Sequence, residues 1–146
     1  MILFVNFVPF VVQLFIQGSS MGSNDTTSDP RNVSGKQAED LAAHFLADHG
    51  LSILARNFHC RGGEIDLVCA DGKALVFVEV RLRRNPDYGG AGASITSGKQ
   101  RRIILAAQHY LAAHARSDSA CRFDCVLLDG LSEKRIEWVR DAFSAA

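Results

Sequence analysis

The sequence predicts an α/β (α+β) protein in which a mixed central sheet is flanked by helices. Two segments show the 3–4–7–8 apolar spacing of amphipathic helices. Strand-like apolar runs lie between these segments, and more follow the second one. The chain has 146 residues, of which 47% are hydrophobic, enough for one domain with a buried core.

Local signals fix the expected order of the elements. Ser34 and Ser97 each precede a glutamine by three residues, as in an N-terminal capping box, so each is expected to begin a helix. Gly50 is the expected stop of the first helix. Strands are expected in five apolar runs, residues 51–54, 64–70, 74–81, 122–128 and 136–139. This order of helix, three strands, helix and two strands is typical of a single mixed sheet.

The N-terminal segment differs from the rest. Residues 1–20 form an apolar leader without a charge, and residues 21–33 form a polar lead-in that is expected to be disordered. The leader is short for a spanning helix and lacks the basic start of a signal peptide, so a mis-assigned start, a signal and an anchor all stay open. The domain is expected at residues 34–146. We expect a cytoplasmic protein without membrane contact unless the leader is retained.

The basic residues are clustered, although the formal net charge is zero. Between residues 81 and 102 one acid, Asp87, accompanies six basic side chains: Arg81, Arg83, Arg84, Lys99, Arg101 and Arg102. This patch is expected to hold the phosphates of nucleic acid, with DNA as the expected partner, without reading bases. Three of the six lie at a helix start, where the helix dipole disfavours cations. A bound phosphate would explain that placement, and a solvated helix start is the open alternative.

The four cysteines have neither CxxC nor zinc-ligand spacing. They are Cys60, Cys69, Cys121 and Cys125. We expect reduced, buried or half-buried thiols, as in a cytoplasmic protein, although an even count leaves disulfides open.

A hairpin is expected at Asp71–Gly72, because Asp-Gly between two β-rich runs is typical of a two-residue turn. That turn places Glu64 opposite Glu79 and makes Asp66 a diagonal neighbour of Glu79. Residues two apart share a face. One face then carries Glu64, Asp66, Glu79 and Arg81, and the other is apolar, with Ile65, Leu67, Cys69, Ala74, Val76, Val78 and Val80.

Three carboxylates on an apolar hairpin are costly unless cations neutralise them. Arg81 is expected to offset one charge, and a divalent ion between Asp66 and Glu79 would offset two. Oxygen ligands favour Mg²⁺ or Mn²⁺. A solvated sheet face with cross-strand ion pairs is the open alternative.

Four stretches carry a wider pattern: residues 63–68 (GEIDLV), residues 76–81 (VFVEVR), Lys99, and residues 122–124 (RFD). Together they resemble the YraN-like family of bacterial proteins, over about Ser34 to Phe143. The resemblance implies a restriction-endonuclease-like core related to Holliday-junction resolvases and other PD-(D/E)xK enzymes. It also implies that Asp66 and Glu79 are metal ligands and that Glu39, on the first helix, points into the same site.

The sequence departs from the family pattern at Arg81, where the family has lysine. Arginine keeps the charge but is never deprotonated, so it can stabilise charge but cannot act as a base. Two functions follow. The first is a metal-dependent endonuclease or phosphodiesterase acting on DNA, including branched structures, with Glu39, Asp66, Glu79 and Arg81 as catalytic residues. The second is a nuclease-fold protein that binds nucleic acid or a protein without cleaving.

A third hypothesis, a membrane-tethered accessory protein, depends wholly on the leader. No small-molecule cofactor is expected, and a homodimer is left open. Three features are interpreted as structural. Arg122 and Asp124 are expected to form an ion pair, Trp138 to pack rather than stack on bases, and the histidines to lie at the surface.

Overall fold

The computed structural model describes residues 30–83 and 95–145. Two helices and five strands form an α+β fold. In chain order they are α1 (Pro30–Asp48), β1 (Ser52–Cys60), β2 (Gly63–Asp71), β3 (Ala74–Arg83), α2 (Ser97–Ala113), β4 (Cys121–Asp129) and β5 (Ile136–Phe143). A 3₁₀ turn, Glu133–Arg135, precedes β5.

The five strands form one mixed sheet in the order β1-β2-β3-β4-β5. Strands β3 and β4 are parallel, and every other neighbouring pair is antiparallel. Parallel strands need a crossover connection, and α2 lies within it. The predicted fold class, an α+β protein with a mixed central sheet, is confirmed, and it is consistent with a restriction-endonuclease-like core.

Each helix covers one face of the sheet. Leu46 of α1 belongs to a buried cluster with Leu67, Val78 and Val126. Ile103 of α2 belongs to the other cluster, whose sheet residues are Ile65, Val68, Leu75, Phe77 and Phe123. Strict alternation places Ile65 on the face of Leu67, and this prediction is wrong. The alternation breaks at Asp66, so Ile65 packs beneath α2.

The β2–β3 hairpin turns one residue later than predicted. Asp71 pairs with Ala74, which leaves Gly72–Lys73 as the turn. Gly72 has φ of 59° at the first turn position, where a two-residue loop favours glycine. Asp71 stays in the strand and forms an ion pair of 2.9 Å with Arg122.

This later turn moves every cross-strand partner by two residues. Because side chains alternate with a period of two, the shift keeps the paired residues from Leu67 to Val78 on their predicted faces, and Ile65, beyond them, is the exception. The predicted opposition of Glu64 and Glu79 is nevertheless wrong. Beyond the Leu67–Val78 pair, the same register sets Asp66, not Glu64, beside Glu79.

Both helices begin earlier than predicted. Helix α1 starts at Pro30, so Ser34 is not its N-cap, and residues 30–33, predicted as disordered lead-in, are helical. Proline suits a first helical position because its missing N–H needs no partner there. In α2 the N-cap is Thr96, whose hydroxyl accepts from the Lys99 N–H at 3.3 Å. Ser97 is therefore the first helical residue.

Strand β1 continues to Cys60, six residues past its predicted end at Leu54. It is paired with β2 over this stretch, as far as Cys60 opposite Gly63. Asn57 has φ of 50°, which is uncommon for a residue other than glycine. The missing apolar alternation here explains why the pattern did not predict the strand.

All four cysteines are free thiols. Cys69 and Cys125 are buried as predicted, and burial raises the pKa of each thiol to about 12. Cys121 is exposed, contrary to the prediction. Neither α1 nor α2, the two helices in the described part of the chain, combines the length and hydropathy needed to cross a membrane. The leader at residues 1–20 lies outside the described residues.

Gly63 sets how closely α2 approaches the sheet. A Cβ at Gly63 would collide with the carbonyl oxygen of Arg102 and touch Ala106. We predict that Gly63→Ala destabilises the fold by about 1–3 kcal/mol, the usual cost of overpacking. Gly35→Ala is the matched control, because Gly35 is helical with open space around it and should gain about 0.5–1 kcal/mol. Urea unfolding measures both, and equal stability of Gly63→Ala and wild type would contradict the close contact.

Candidate active site at the open end of the hairpin

Strands β2 and β3 separate at one end of the hairpin. Their last pair is Leu67 with Val78, yet β2 stays paired with β1 as far as Gly63 and β3 with β4 as far as Arg83. The Val80 N–H of β3 donates to Asp66 Oδ2 at 2.8 Å. The Asp66 side chain therefore bridges the two diverging strands, in place of a further backbone pair.

Glu79 lies beside Asp66 in this opening. It is only 7% exposed, and its Oε2 is buried without a hydrogen-bond partner. Burial, assisted by the charge of Asp66, raises the pKa of Glu79 to about 7, against the opposing effect of Lys99. Burial also raises the pKa of Asp66, although the hydrogen bond from Val80 acts in the other direction. Burial thus disfavours the charged form of both carboxyl groups.

Lys99 reaches this pair from the first turn of α2. Its Nζ lies 2.9 Å from Glu64 Oε1, a hydrogen bond, and 3.3 Å from Glu79 Oε2, an ion pair without hydrogen-bond geometry. The hydrogen bond lowers the pKa of Glu64. Burial opposes the charged form of Lys99, but these acids outweigh it and raise the lysine pKa. Lys99, whose side chain is 19% exposed, is the ammonium partner of the acids.

Glu39 approaches from the opposite side of the sheet. It is half-buried on α1, and its Oε2 accepts from Asn57 Nδ2 at 3.0 Å. Burial raises the pKa of Glu39, and the charge of Asp66 adds to the shift while Asn57 opposes it. Glu39 is therefore near enough to Asp66 for their charges to interact, and Asn57 fixes its position.

An open cavity of about 470 Å³ lies over the acids. Its lining is Glu79, Val80, Arg81, Leu82, Thr96, Lys99 and Arg102. A second cavity of about 320 Å³ adjoins it and shares Arg102; its other lining residues are His59, Cys60, Gly62, Gly63 and Glu64. His59 Nδ1 lies 3.7 Å from Glu64 Oε2. The buried carboxyl group of Glu79 thus shares a cavity with three basic side chains.

The predicted basic patch is only partly assembled. Arg81, Lys99 and Arg102 share the first cavity. Arg83 instead pairs with Glu137 at 3.2 Å and with Asp129 at 3.7 Å. Arg101 is exposed and lines neither cavity, and Arg84 lies outside the described residues.

Arg81 does not neutralise the acids as predicted. Within residues 30–83 and 95–145 it makes no ion pair, and Lys99 takes that part. The sequence analysis assigned Lys99 to a phosphate. It could not show the contact of Lys99 with the acids, because that contact depends on how α2 packs on the sheet. The sequence did not predict Asn57 and His59 as neighbours of the site.

The described residues hold no group of three His, Cys, Asp or Glu side chains near enough together to bind a metal ion. Asp66 lies beside Glu79, and Glu39 is hydrogen-bonded to Asn57. The arrangement offers two carboxylates, one of them with a buried oxygen that lacks a hydrogen-bond partner, and leaves other positions around a cation to water.

The remaining predicted features are structural. Asp124 is fully buried and accepts from Arg122 Nε at 3.1 Å, Trp138 Nε1 at 2.9 Å and the Asp141 N–H at 2.9 Å. The predicted Arg122–Asp124 ion pair and the packing of Trp138 are confirmed. All five histidines are exposed, as predicted.

Fold and site define an α+β protein with paired acids at the open end of a central hairpin. Residues 38–128 match the family described as Uncharacterised protein family UPF0102. The chain is 58% identical to a UPF0102 protein of Dechloromonas aromatica over 84% of this chain and 95% of the relative. It is 53% identical to one of Nitrosospira multiformis, over 76% of this chain and 92% of the relative. The chain belongs to UPF0102, the YraN-like nuclease-fold group, and the resemblance is confirmed.

The raised pKa of Glu79 predicts a specific dependence of stability on pH. Folding favours its neutral form, so this stabilisation is complete below about pH 4.5 and is lost as pH rises through about 7. Glu79→Gln should remove this loss of stability at higher pH, because glutamine does not ionise. Between pH 5 and pH 8.5 the variant should gain up to about 3 kcal/mol relative to wild type, which is 1.36 kcal/mol per pKa unit.

Urea unfolding in EDTA at several pH values measures this gain. Glu137→Gln is the control, because Glu137 is an exposed glutamate of β5 and should follow wild type. A constant difference between Glu79→Gln and wild type across this pH range would show that Glu79 is charged throughout.

Proposed function

We propose that this chain is a metal-dependent phosphodiesterase that acts on DNA, branched structures included. One observation carries the proposal: Glu79 Oε2 is buried without a hydrogen-bond partner, with only the Lys99 ammonium at 3.3 Å, and it lies beside Asp66 in a cavity lined by basic side chains. A buried carboxylate oxygen without a partner is costly, and a bound cation would satisfy it. These basic side chains supply the complementary contact for a phosphate.

Asp66 and Glu79 would hold Mg²⁺ or Mn²⁺ between them, since both ions prefer oxygen ligands and keep several waters. Glu39 would contribute through water, because its Oε2 already accepts a hydrogen bond from Asn57 Nδ2. A metal bound here would supply Lewis-acid stabilisation of the phosphate and a water of lowered pKa.

Arg81 and Arg102 would orient the phosphate over the carboxylates. Both line the cavity over Glu79, and neither makes an ion pair within the described residues that would withdraw it from a ligand. A guanidinium binds phosphate through paired donors and stays charged, so Arg81 stabilises the negative charge that develops on the phosphate. It does not remove a proton from water.

Recognition would rest on the phosphate backbone. The chain has no net charge, so attraction is confined to this cavity, and binding should be weak and sensitive to salt. Trp138, the one tryptophan, is held by Asp124 and stacked against Arg140 at 4.0 Å, which removes it as a platform for bases. The free thiols fit the reducing setting of the cytoplasm, where we place the protein.

A second candidate is a nuclease-fold protein that binds nucleic acid without cleaving it. Two observations favour it. Arg81 stands where a lysine is expected, and no three-carboxylate group is assembled in the described part of the chain. Both candidates share the phosphate contacts and differ only in cleavage.

Asp66→Ala should abolish most Mn²⁺ binding, because it removes a ligand and frees the Val80 N–H. Glu39→Gln should weaken binding less, since its contact would pass through water. Calorimetric titration of the folded proteins measures both, with Asp118→Ala as the control at an exposed aspartate. Unchanged Mn²⁺ affinity in folded Asp66→Ala would remove the metal site.

Arg81 separates the two candidates. In the enzyme, Arg81→Lys should keep or raise the cleavage rate, and Arg81→Ala should lower it about a hundredfold, as loss of a well-placed charge-stabilising donor does. In a binding protein, Arg81→Ala loses only affinity, and Arg81→Lys can gain cleavage that wild type lacks. Cleavage of branched and linear DNA is compared in Mn²⁺, Mg²⁺ and EDTA. Equal metal-dependent cleavage by all three proteins would exclude Arg81 from the chemistry.

A further inference from the structure

Lys99 lies against a carboxylate cluster that consists of Glu64, Asp66 and Glu79. Its Nζ lies 2.9 Å from Glu64 Oε1 and 3.3 Å from Glu79 Oε2, and its side chain is only 19% exposed. Glu79 in turn lies beside Asp66. The ammonium therefore contacts the same carboxylate oxygen that has no hydrogen-bond partner.

The net charge of the cluster indicates how many divalent ions it can hold. Fully ionised, Glu64, Asp66 and Glu79 carry three negative charges, and Lys99, in ion-pair contact with two of them, offsets one; Arg81 and Arg102 line the same cavity, are assigned to the phosphate and stand outside this sum. The remaining two match one divalent ion. A second divalent ion would leave the cluster with an excess of positive charge in a largely buried place, which is unfavourable.

We propose that Lys99 permanently occupies one cation position of this cluster, so that the site takes a single divalent ion and holds it less tightly than the carboxylates alone would. The proposal rests on the metal site of the proposed function and adds what regulates it. It also gives a lysine to the site from α2, whereas the sequence pattern looks for one at Arg81.

A purely structural clamp between α2 and β2 would explain the Glu64 contact equally well. It would not explain the approach of Nζ to Glu79, which lies on β3 and is more deeply buried. The two interpretations also differ in the sign of a measurable effect. A clamp keeps the carboxylates ordered, so its removal weakens metal binding, whereas removal of a competing cation strengthens it.

The test is calorimetric titration of the full chain with Mn²⁺. Wild type should bind one ion. Lys99→Met should bind Mn²⁺ at least about tenfold more tightly, because a unit charge a few ångströms away is lost in a partly buried site. Glu64→Gln should bind about tenfold more weakly, because Lys99 then acts on Asp66 and Glu79 alone.

Two further variants separate charge from structure. Lys99→Arg keeps the charge and should keep the wild-type affinity. Lys73→Met removes an exposed lysine at the turn of the same hairpin and should leave the affinity unchanged. If Lys99→Met does not fold, Lys99→Gln decides, because it keeps a donor for Glu64 without the charge: a competing cation predicts tighter Mn²⁺ binding there, and a clamp predicts unchanged or weaker binding.

The failures are distinguishable. Wild type that binds no Mn²⁺ overturns both the metal site and this inference. Wild-type binding of one ion that Asp66→Ala abolishes, together with equal or weaker binding by folded Lys99→Met, overturns this inference alone. Binding of two ions by wild type also overturns it.

Discussion

The hydrogen bond from the Val80 N–H to Asp66 Oδ2, at 2.8 Å, is the interaction on which the site depends. It replaces a backbone pair where β2 and β3 part, so a charged side chain becomes a structural member of the sheet. The bond holds Asp66 beside Glu79, where burial raises the pKa of both carboxyl groups. Asp66 therefore both joins the two strands and belongs to the candidate site.

The second constraint is the closeness of α2 to the sheet. Gly63 permits the approach because it has no Cβ, and the approach carries Lys99 over the acids. The parallel pairing of β3 with β4 places the crossover helix on this face. Gly63 and the parallel pairing of β3 with β4 thus bring Lys99 to the acids of the hairpin.

The sequence predicted the fold class and the sharing of a face by Asp66 and Glu79, because side-chain alternation survives a shift of the turn. It did not predict their direct proximity, since Asp71 stays in the strand through Arg122, a residue distant in sequence. The contact of Lys99 with the acids was missed because it too joins residues that are distant in sequence, and Lys99 was assigned to a phosphate instead. Its partners depend on how a helix packs, and no local pattern encodes that.

The hairpin of β2 and β3 has a consequence for the order in which the protein folds. Its two-residue turn makes it a local unit, so we expect Asp66 and Glu79 to meet before the non-local parallel pairing that delivers α2. In that interval the acids would lack their ammonium partner, and protons or dissolved cations would screen them. We therefore expect the folding rate to depend on the ionic conditions through the same carboxylates that form the site.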